Sequence, residues 1–266
     1  MKKITIIGGD KRLITVKEYL SHKGYPVDTL CLLDGDQGDI TTSDVVILPV
    51  PSTKDGIFVF TPLSDKKITL KEVFEKTNEN QLILCCNYLF ENRKCVDYGA
   101  LDSYALLNAV PTAEGAVKIA IENTDFTLWK SKCLVIGYGR VGKVLANRLK
   151  AFGCSVTITA RKPADLSLAE TLGFSYINTE HLNYENLDYD IIFNTVDVPI
   201  IKDQKLEKMN TNLFIDLSTH GCFNMEKAKS TGMKVIKAAG LPGKVAPKTA
   251  AEILGKTIIH IINSYN

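Results

Sequence analysis

The feature that most constrains the fold is a glycine-rich turn between an apolar strand and a helix. The apolar run 132–136 leads into a Gly-x-Gly-x-x-Gly turn, a helical pattern follows to Phe152, and a β-branched run comes at 155–159. Glycines in this order allow a tight turn, close approach to a pyrophosphate, and close packing of the helix on the strand. The helix N-terminus supplies N–H donors to the phosphates. These residues predict a dinucleotide site at Gly137, Tyr138, Gly139, Arg140, Val141 and Gly142.

The residues that end the second strand of this unit indicate which dinucleotide binds. NAD-binding chains carry an Asp or Glu there, which holds the ribose 2′-hydroxyl, whereas this chain has Ala160, Arg161 and Lys162. Cationic side chains attract a 2′-phosphate, and arginine can stack on the adenine. We therefore expect NADP as the cofactor. Two alternatives stay open: two solvated cations at a strand end, and a glycine-rich turn that binds no cofactor.

Short β-branched runs alternate with helical patterns along the whole chain. This alternation predicts an α/β fold with two Rossmann-like lobes, each built on a parallel sheet, and a cleft between them. We expect a substrate-side domain at 1–110, an NADP-binding domain at 111–246, and a C-terminal helix at 247–266 that can pack back on the first domain. The predicted strands are 3–7, 28–31, 45–48, 82–85, 132–136, 155–159, 191–194, 213–216 and 234–237. The predicted helices are 14–23, 112–126, 140–152, 164–172, 225–230 and 247–263.

Composition and charge exclude several classes of protein. The chain has 266 residues and a formal net charge of +2, which argues against a general nucleic-acid surface. No apolar run approaches the ~18 residues of a membrane span, and the one after Met1 is shorter than the roughly 7–15 residues of a signal-peptide core. Seven cysteines, several in apolar runs, predict reduced buried thiols in a cytoplasmic protein. Without a Cys-x-x-Cys pair, and with four scattered histidines, we expect no metal site.

Further site residues are expected at the carboxyl ends of the strands, where open α/β sheets bind ligands. Those expected to contact the cofactor are Thr195, Val196, Leu217 and Ser218, and those expected to contact the substrate are Gly9, Asp10, Pro49, Val50, Thr112, Thr219 and Leu241. The catalytic candidates are His220, which can move a proton near neutral pH or hold a carboxylate, and Glu114, which can act as a base or cap a helix. The alternatives are turns selected for backbone geometry, an exposed turn histidine, and a capping glutamate.

Two blocks of sequence are much more specific than the glycine loop. They are Pro-Thr-Ala-Glu-Gly at 111–115 and Gly-Leu-Pro-Gly-Lys-Val-Ala-Pro-Lys-Thr-Ala at 240–250. Five shorter segments accompany these blocks, and all of them occur in one order along the chain. They are Ile-Ile-Gly-Gly-Asp at 6–10, Val-Ile-Leu-Pro-Val at 46–50, Thr-Asp-Phe-Thr at 124–127, the loop 137–142 and Ala-Arg at 160–161. Over nearly the whole chain, the sequence resembles the dipicolinate synthase A-subunit family of spore-forming bacteria.

The resemblance implies an architecture and an activity. The architecture is similar to that of the two-lobed 2-hydroxyacid dehydrogenases. The activity is the conversion of a hydroxylated tetrahydrodipicolinate, a small dicarboxylate from the lysine pathway, to pyridine-2,6-dicarboxylate, with loss of water and hydride transfer to NADP. The implied partner is a small flavoprotein-like B subunit, and the implied setting is the mother-cell cytoplasm during sporulation. Neither a nucleic acid nor a membrane is expected as a partner, and a homo-oligomer stays open.

One departure from the family bears on the substrate. The family carries Arg-Pro-Gly-Gly after an Asp-Leu-x-Ser strand end, whereas this chain has Thr219-His220-Gly221-Cys222. Arginine holds a carboxylate more firmly than histidine does, because histidine binds it only when protonated. Two further hypotheses therefore stay open beside the implied activity: another NADP-dependent oxidoreductase of small carboxylates with the same architecture, and a non-catalytic dinucleotide-binding subunit.

Overall fold

The chain divides into two compact units. The computed structural model describes residues 1–265, apart from the side chain of Met225. One unit holds Met1–Asn108 together with the residues from Pro242 onward, and the other holds Ala109–Leu241. Each unit is built on its own parallel sheet.

The first unit has a five-stranded parallel sheet in the order β2-β1-β3-β4-β5. Its strands are β1 (Ile4–Ile7), β2 (Val27–Leu30), β3 (Val45–Ile47), β4 (Leu82–Cys85) and β5 (Cys95–Asp97). Its helices are α1 (Lys11–His22), α2 (Leu70–Lys76) and α9 (Pro247–Ser264), and α3 (Asp102–Asn123) begins in it. The strand order reverses between β1 and β3, so the carboxyl ends of these two strands frame the position where open α/β sheets bind ligands.

Helix α9 completes the core of the first unit. Its buried residues Leu254 and Ile258 belong to one apolar cluster with Leu13 and Val16 of α1. A Cβ on Gly255 would overlap the ring of Tyr19, so the glycine lets the two helices approach closely. The C-terminal residues therefore pack with the N-terminal sheet unit, although the second unit separates them in sequence.

The second unit has a six-stranded parallel sheet in the order β11-β10-β9-β6-β7-β8. Its strands are β6 (Lys132–Ile136), β7 (Ser155–Ala160), β8 (Ser175–Asn178), β9 (Ile191–Asn194), β10 (Leu213–Asp216) and β11 (Val235–Lys237). Its helices are the remainder of α3, then α4 (Arg140–Ala151), α5 (Pro163–Thr171), α6 (Asp203–Leu206) and α7 (Met225–Ser230), and α8 (Leu241–Val245) begins in it. The strand order reverses between β6 and β9, as it does in dinucleotide-binding sheets.

The predicted fold class is confirmed, because both sheets are parallel and Rossmann-like. All nine predicted strands exist within one residue at each end. The strands β5 and β8 and the helices α2, α6 and α8 were not predicted, since each is too short to show a clear periodicity. None of the helices in the described part of the chain is both long and apolar enough to span a membrane.

Two predictions of local structure are wrong. Helix α3 begins at Asp102 rather than at Thr112, and Pro111 lies inside it. Proline usually marks a helix start because it lacks an N–H, but a long helix tolerates the loss when its faces are packed; here Ala109, Ala113 and Ala116 are fully or almost fully buried. Leu241 was expected in a strand-end loop, whereas it is the first residue of α8. Thr112 and Glu114 therefore lie inside a helix, and no helix start is there for Glu114 to cap.

The packing of α9 in the first unit predicts the effect of shortening one of its buried side chains. Leu254→Ala should lower the free energy of unfolding by about 2–5 kcal/mol, since it leaves a cavity in a close-packed apolar cluster. Lys256→Ala, on the exposed side of the same helix, should change the free energy of unfolding by less than about 0.5 kcal/mol. Denaturant unfolding of both variants checks this, and equal stabilities would contradict the described packing.

Candidate functional site

The candidate cofactor site is a cavity of about 530 Å³ in the second unit. It lies beyond the carboxyl ends of β6, β7 and β9, at the reversal of strand order. Its walls are the glycine loop, the end of β7 and the segment after β9. The lining residues are Gly137, Tyr138, Gly139, Arg140, Val141, Thr159, Ala160, Arg161, Lys162, Asp165, Thr179, Thr195, Val196, Asp197, Val198 and Ile200.

The floor of the cavity requires glycine at two positions. Gly137 has a φ of 96°, and a Cβ there would lie 2.5 Å from Thr195 Oγ1. A Cβ on Gly142 would overlap the carbonyl oxygen of Gly137. Thr195 Oγ1 in turn donates a hydrogen bond of 2.9 Å to the carbonyl oxygen of Ile136. The helix therefore packs directly on the strand end, and the backbone of the loop stays open to a ligand.

Helix α4 points its N-terminus at this cavity. The residue before the helix is Gly139, which has no side chain to accept hydrogen bonds from the first-turn N–H groups. These groups carry the positive end of the helix dipole, which favours an anion. Because Arg140 and Val141 of this first turn line the cavity, the arrangement suits the phosphates of a dinucleotide.

The rim of the cavity at the end of β7 is cationic. Arg161 and Lys162 line it and are exposed. Asp165 also lines the cavity, but its carboxylate is held by Lys143 Nζ at 2.8 Å. The charge of this acid is therefore compensated within the protein, and the two cations dominate the rim. A terminal phosphate monoester carries the charge that such a rim attracts.

Tyr138 supplies a buried donor beside the cavity. Its side chain is 3% exposed and packs edge-on against Phe174, with ring centroids 6.2 Å apart. Burial raises the pKa of the Tyr138 phenol, so the hydroxyl stays protonated. This hydroxyl has no hydrogen-bond partner among the residues that the structure describes. A buried hydroxyl is stabilised by a partner, and a bound polar group or water at the cavity would provide one.

His220 and Asp197 form a hydrogen-bonded pair at the edge of the cavity. His220 Nδ1 lies 2.9 Å from Asp197 Oδ2, and the backbone N–H of His220 donates to Asp197 Oδ1 at 2.5 Å. Burial would raise the pKa of Asp197, but these hydrogen bonds and the imidazole outweigh it and hold the pKa below its usual range. The ionised carboxylate fixes Nδ1 as the protonated nitrogen, which leaves Nε2 able to exchange a proton.

A second polar group, the strand-end network, joins the carboxyl ends of β9, β10 and β11. Asp216, 1% exposed, accepts hydrogen bonds from Ser218 Oγ at 2.6 Å, Asn194 Nδ2 at 2.8 Å and Lys237 Nζ at 2.7 Å. Burial would raise the pKa of Asp216, but these three donors lower it on balance. The network holds the Ser218 hydroxyl in place. This hydroxyl oxygen in turn accepts a hydrogen bond from the backbone N–H of Gly221 at 2.9 Å. The network thereby fixes the loop that carries His220.

The structure places the predicted cofactor residues in two groups. Gly142 lies beneath the cavity, and Leu217 and Ser218 follow β10, outside the lining residues. All the others line the cavity, namely Gly137, Tyr138, Gly139, Arg140, Val141, Ala160, Arg161, Lys162, Thr195 and Val196. Asp165 and Asp197 were not predicted as site residues. Asp197 directly follows two residues that were, so its position was the available signal.

Glu114 lies apart from the cofactor cavity. Its carboxylate is 3.7 Å from Arg148 Nη2, and its side chain is 58% exposed. It borders a shallow groove between α3 and α4, together with Ile121 and Phe152. Glu114 is therefore paired with an arginine on the helical face of the second unit, rather than placed with His220.

Four predicted substrate residues lie at strand ends of the first unit. Gly9 and Asp10 follow β1, and Pro49 and Val50 follow β3. The buried Arg12, which was not predicted from the sequence, joins them: its Nη2 donates to Asp10 Oδ2 at 2.7 Å and to the Val50 carbonyl oxygen at 2.9 Å. Burial lowers the pKa of the Arg12 guanidinium, but the hydrogen bond and charge of Asp10 raise it on balance. The two strand ends are thus joined by a charged hydrogen-bond bridge.

The other three predicted substrate residues belong to the second unit. Thr112 is half-buried inside α3, Thr219 is exposed next to His220, and Leu241 is buried at the start of α8. In the described part of the chain, none of these three lines the cofactor cavity. Their role in substrate binding, like that of the four residues of the first unit, stays a prediction.

Comparison with known proteins covers both halves of the chain. Residues 3–97 match the family profile of the N-terminal domain of the dipicolinate synthase A subunit. Residues 112–257 match that of the S-adenosyl-L-homocysteine hydrolase NAD binding domain. Among structures of similar fold, the apo-structure of D-lactate dehydrogenase from Escherichia coli has a TM-score of 0.63 at 14% identity, covering 99% of this chain and 96% of that one. The second half therefore has the NAD-binding domain fold, within a dehydrogenase-like architecture.

Relatives with higher identity match nearly the full length. The dipicolinate synthase A subunit of Bacillus subtilis (strain 168) is 30% identical over 285 aligned positions, which cover 98% of this chain and 95% of the relative. The crystal structure of the dipicolinate synthase A subunit from Bacillus halodurans has a TM-score of 0.88 at 30% identity, covering 98% of this chain and 97% of that one. The chain belongs to the dipicolinate synthase A-subunit family.

Proposed function

We propose that this protein is the NADP-dependent oxidoreductase subunit of a dipicolinate synthase. The observation that supports it best is the cavity at the end of β7, where Arg161 and Lys162 stand in a unit of NAD-binding domain fold. The family supplies the reaction: a hydroxylated tetrahydrodipicolinate loses water, then a hydride and a proton, and becomes pyridine-2,6-dicarboxylate. Partnership with a B subunit, in the mother-cell cytoplasm during sporulation, belongs to the same proposal.

The residues of the cavity suit this cofactor. Glycine at 137 and 142 leaves the loop backbone open to a pyrophosphate, and the N-terminus of α4, which has no side-chain cap, is directed at the cavity. Arg161 and Lys162 would hold the 2′-phosphate. The ion pair between Lys143 and Asp165 compensates the negative charge that would otherwise repel this phosphate. The Tyr138 hydroxyl is a further donor for a polar group. When bound, NADP⁺ supplies the hydride acceptor for the oxidation.

The His220–Asp197 pair is the proposed proton-transfer group. Loss of water leaves a dihydro ring, whose conversion to the aromatic ring releases a hydride from carbon and one proton, and His220 Nε2 would take the proton. Asp197 Oδ2 holds Nδ1 and stabilises the imidazolium that forms. The strand-end network orients the loop through Gly221 and Ser218. Since His220 is 81% exposed, it can pass the proton on to solvent.

The substrate residues are proposed from both units. The first unit would contribute Gly9, Asp10, Pro49 and Val50, and the second would contribute Thr112, Thr219 and Leu241. Asp10 is neutralised by Arg12, so it adds no net repulsion against a dicarboxylate. Holding a substrate carboxylate with a protonated imidazole, where the family carries arginine, is the alternative role of His220, because a protonated imidazole cannot take the proton.

Cofactor selectivity should depend on the two cations at the rim. Arg161→Ala/Lys162→Ala should weaken NADP binding about 10–100-fold, because hydrogen bonds to a charged group contribute roughly 1.5–3 kcal/mol. NAD binding should change less than about threefold, since its ribose hydroxyl carries no charge. Lys229→Ala, an exposed lysine on α7, is the matched control. Dissociation constants from fluorescence titration check this, and tighter binding of NAD than NADP by the unmodified protein would contradict it.

Proton transfer should depend on His220. His220→Ala should lower kcat about 10²–10⁴-fold, as loss of a general base does, while leaving the dissociation constant of NADP within about threefold. Asp197→Asn should lower kcat by a smaller factor, because it removes only the group that orients the imidazole. His181→Ala, an exposed histidine at the end of a short 3-10 helix in the same unit, is the matched control. Unchanged kcat in His220→Ala would remove His220 from the mechanism.

The reaction itself is tested by combining the cyclic lysine-pathway intermediate, NADP and the B subunit. Reduced cofactor and dipicolinate should appear together, in equal amounts. Turnover of open-chain 2-hydroxy acids instead would favour a different oxidoreductase. Cofactor binding without hydride transfer to any acid, with demonstrably folded protein, would favour a non-catalytic subunit.

A further inference from the structure

Two cysteine thiols of the first unit lie in contact. The Sγ atoms of Cys85 and Cys95 are 3.2 Å apart, although the residues are separated by ten positions in sequence. Cys85 ends β4 and Cys95 begins β5, its parallel neighbour. The register pairs Ile83 with Cys95, so Cys85, two residues after Ile83, points to the same face of the sheet. The contact therefore follows from the backbone register of the two strands.

The two thiols differ in their access to solvent. Cys85 is fully buried, in one apolar cluster with Val46 and Phe90. Cys95 is half-buried on β5, which is the edge strand of the sheet. A small oxidant can therefore reach the sulfur of Cys95 first, with Cys85 directly behind it.

The pKa values of the two thiols also differ, and they too favour Cys95 as the reactive sulfur. The hydrogen bond between the two thiols lowers the pKa of Cys95, which therefore has more thiolate character. The same hydrogen bond, together with burial, raises the pKa of Cys85. The thiolate is the form that attacks an oxidant. Access and charge thus both assign Cys95 as the attacking thiol and Cys85 as the resolving one.

We propose that Cys85 and Cys95 are an oxidation site, which a peroxide converts reversibly to a disulfide. Cys95 sulfur attacks one peroxide oxygen: an S–O bond forms, the O–O bond breaks, and the leaving oxygen departs as water after taking a proton. Cys85 sulfur then attacks the Cys95 sulfenic acid, the S–S bond forms, and the S–O bond breaks as a second water leaves with the Cys85 proton. The two thiols lose two electrons, and hydrogen peroxide is reduced to two waters.

Closure of the bond requires a movement of about 1 Å in both the sulfurs and the backbone. The sulfur atoms of a disulfide are about 2.05 Å apart, so the two sulfurs approach by roughly 1 Å from their present contact. Cys95 lies opposite Ile83 rather than Cys85, which places the two Cα atoms about 8 Å apart, so the edge strand β5 also shifts toward the disulfide range of up to about 7 Å. The loop 86–94 joins the strands, and Asn87 and Asn92 in it have positive φ values of 57° and 56°. Because the loop already turns back to bring β5 beside β4, closure of the bond requires no new strand pairing.

The other cysteines differ from this pair. Cys86 is buried, and burial raises its pKa to about 12. Cys133 and Cys154 lie on either side of Ser131 Oγ, at 3.5 and 3.7 Å. A hydrogen bond from Cys133 lowers the pKa of Cys154 to about 7, but Cys154 is 9% exposed and Cys133 fully buried. This second pair is therefore an internal competitor, in which the thiolate of Cys154 is favoured but less accessible to an oxidant than Cys95.

The test uses the full chain and needs neither substrate nor partner. The reduced protein is treated with hydrogen peroxide, alkylated and digested with trypsin under non-reducing conditions. Cleavage after Arg93 and Lys94 separates Cys85 from Cys95, in peptides 77–93 and 95–118. We expect these peptides linked, with a loss of about 2 Da that dithiothreitol reverses, and fragmentation that assigns the link to Cys85 rather than Cys86.

Single variants identify the order of events. Cys85→Ser should lose the link and leave a sulfenic acid at Cys95, which dimedone traps; Cys95→Ser should lose both the link and the trapped adduct. The matched control Cys86→Ser should keep the link. If a variant does not fold, the peptide map of the unmodified protein decides alone. A link only between Cys133 and Cys154, or over-oxidation of Cys95 without any link, would overturn the proposal.

Discussion

The cofactor cavity depends on the direct packing of α4 on the end of β6. The Cα of Gly142 sits against the carbonyl oxygen of Gly137, at a distance that leaves no room for a Cβ. This contact brings the helix N-terminus to the carboxyl edge of the sheet and keeps the loop backbone accessible. A side chain at either position would push the helix away and fill the space that a pyrophosphate requires.

The polar groups around this contact are held by neighbours in space. Asp216 is buried at the end of β10 and accepts hydrogen bonds from three different strand ends. A buried carboxylate is unfavourable unless it is fully hydrogen-bonded, so these donors hold the strand ends in one arrangement. The loop with His220 follows directly, which explains how an exposed histidine keeps a defined position beside Asp197.

Much of the fold could be predicted because it depends on local patterns. Apolar β-branched runs correspond to the buried strands, and the glycine turn to the junction of β6 and α4. The errors have physical causes. Pro111 suggested a helix start, yet packing of small residues on both sides carries the helix through it. The strands β5 and β8 are short and partly exposed, so they lack the apolar signal that identified the others.

The sequence by itself determined the cofactor loop and its cationic rim, because Gly137–Gly142 and Arg161–Lys162 act through spacing along a single strand–helix–strand unit. Only the tertiary structure decided which side chains meet across elements. The contacting residues are separated by 23 positions in sequence for Asp197 and His220, by 21 positions for Asp216 and Lys237, and by 38 positions for Arg12 and Val50. Such contacts depend on strand order and register, which arise from the packing of the whole sheet. The contact between Cys85 and Cys95 has the same origin, since only the pairing of β4 with β5 brings the two sulfurs together.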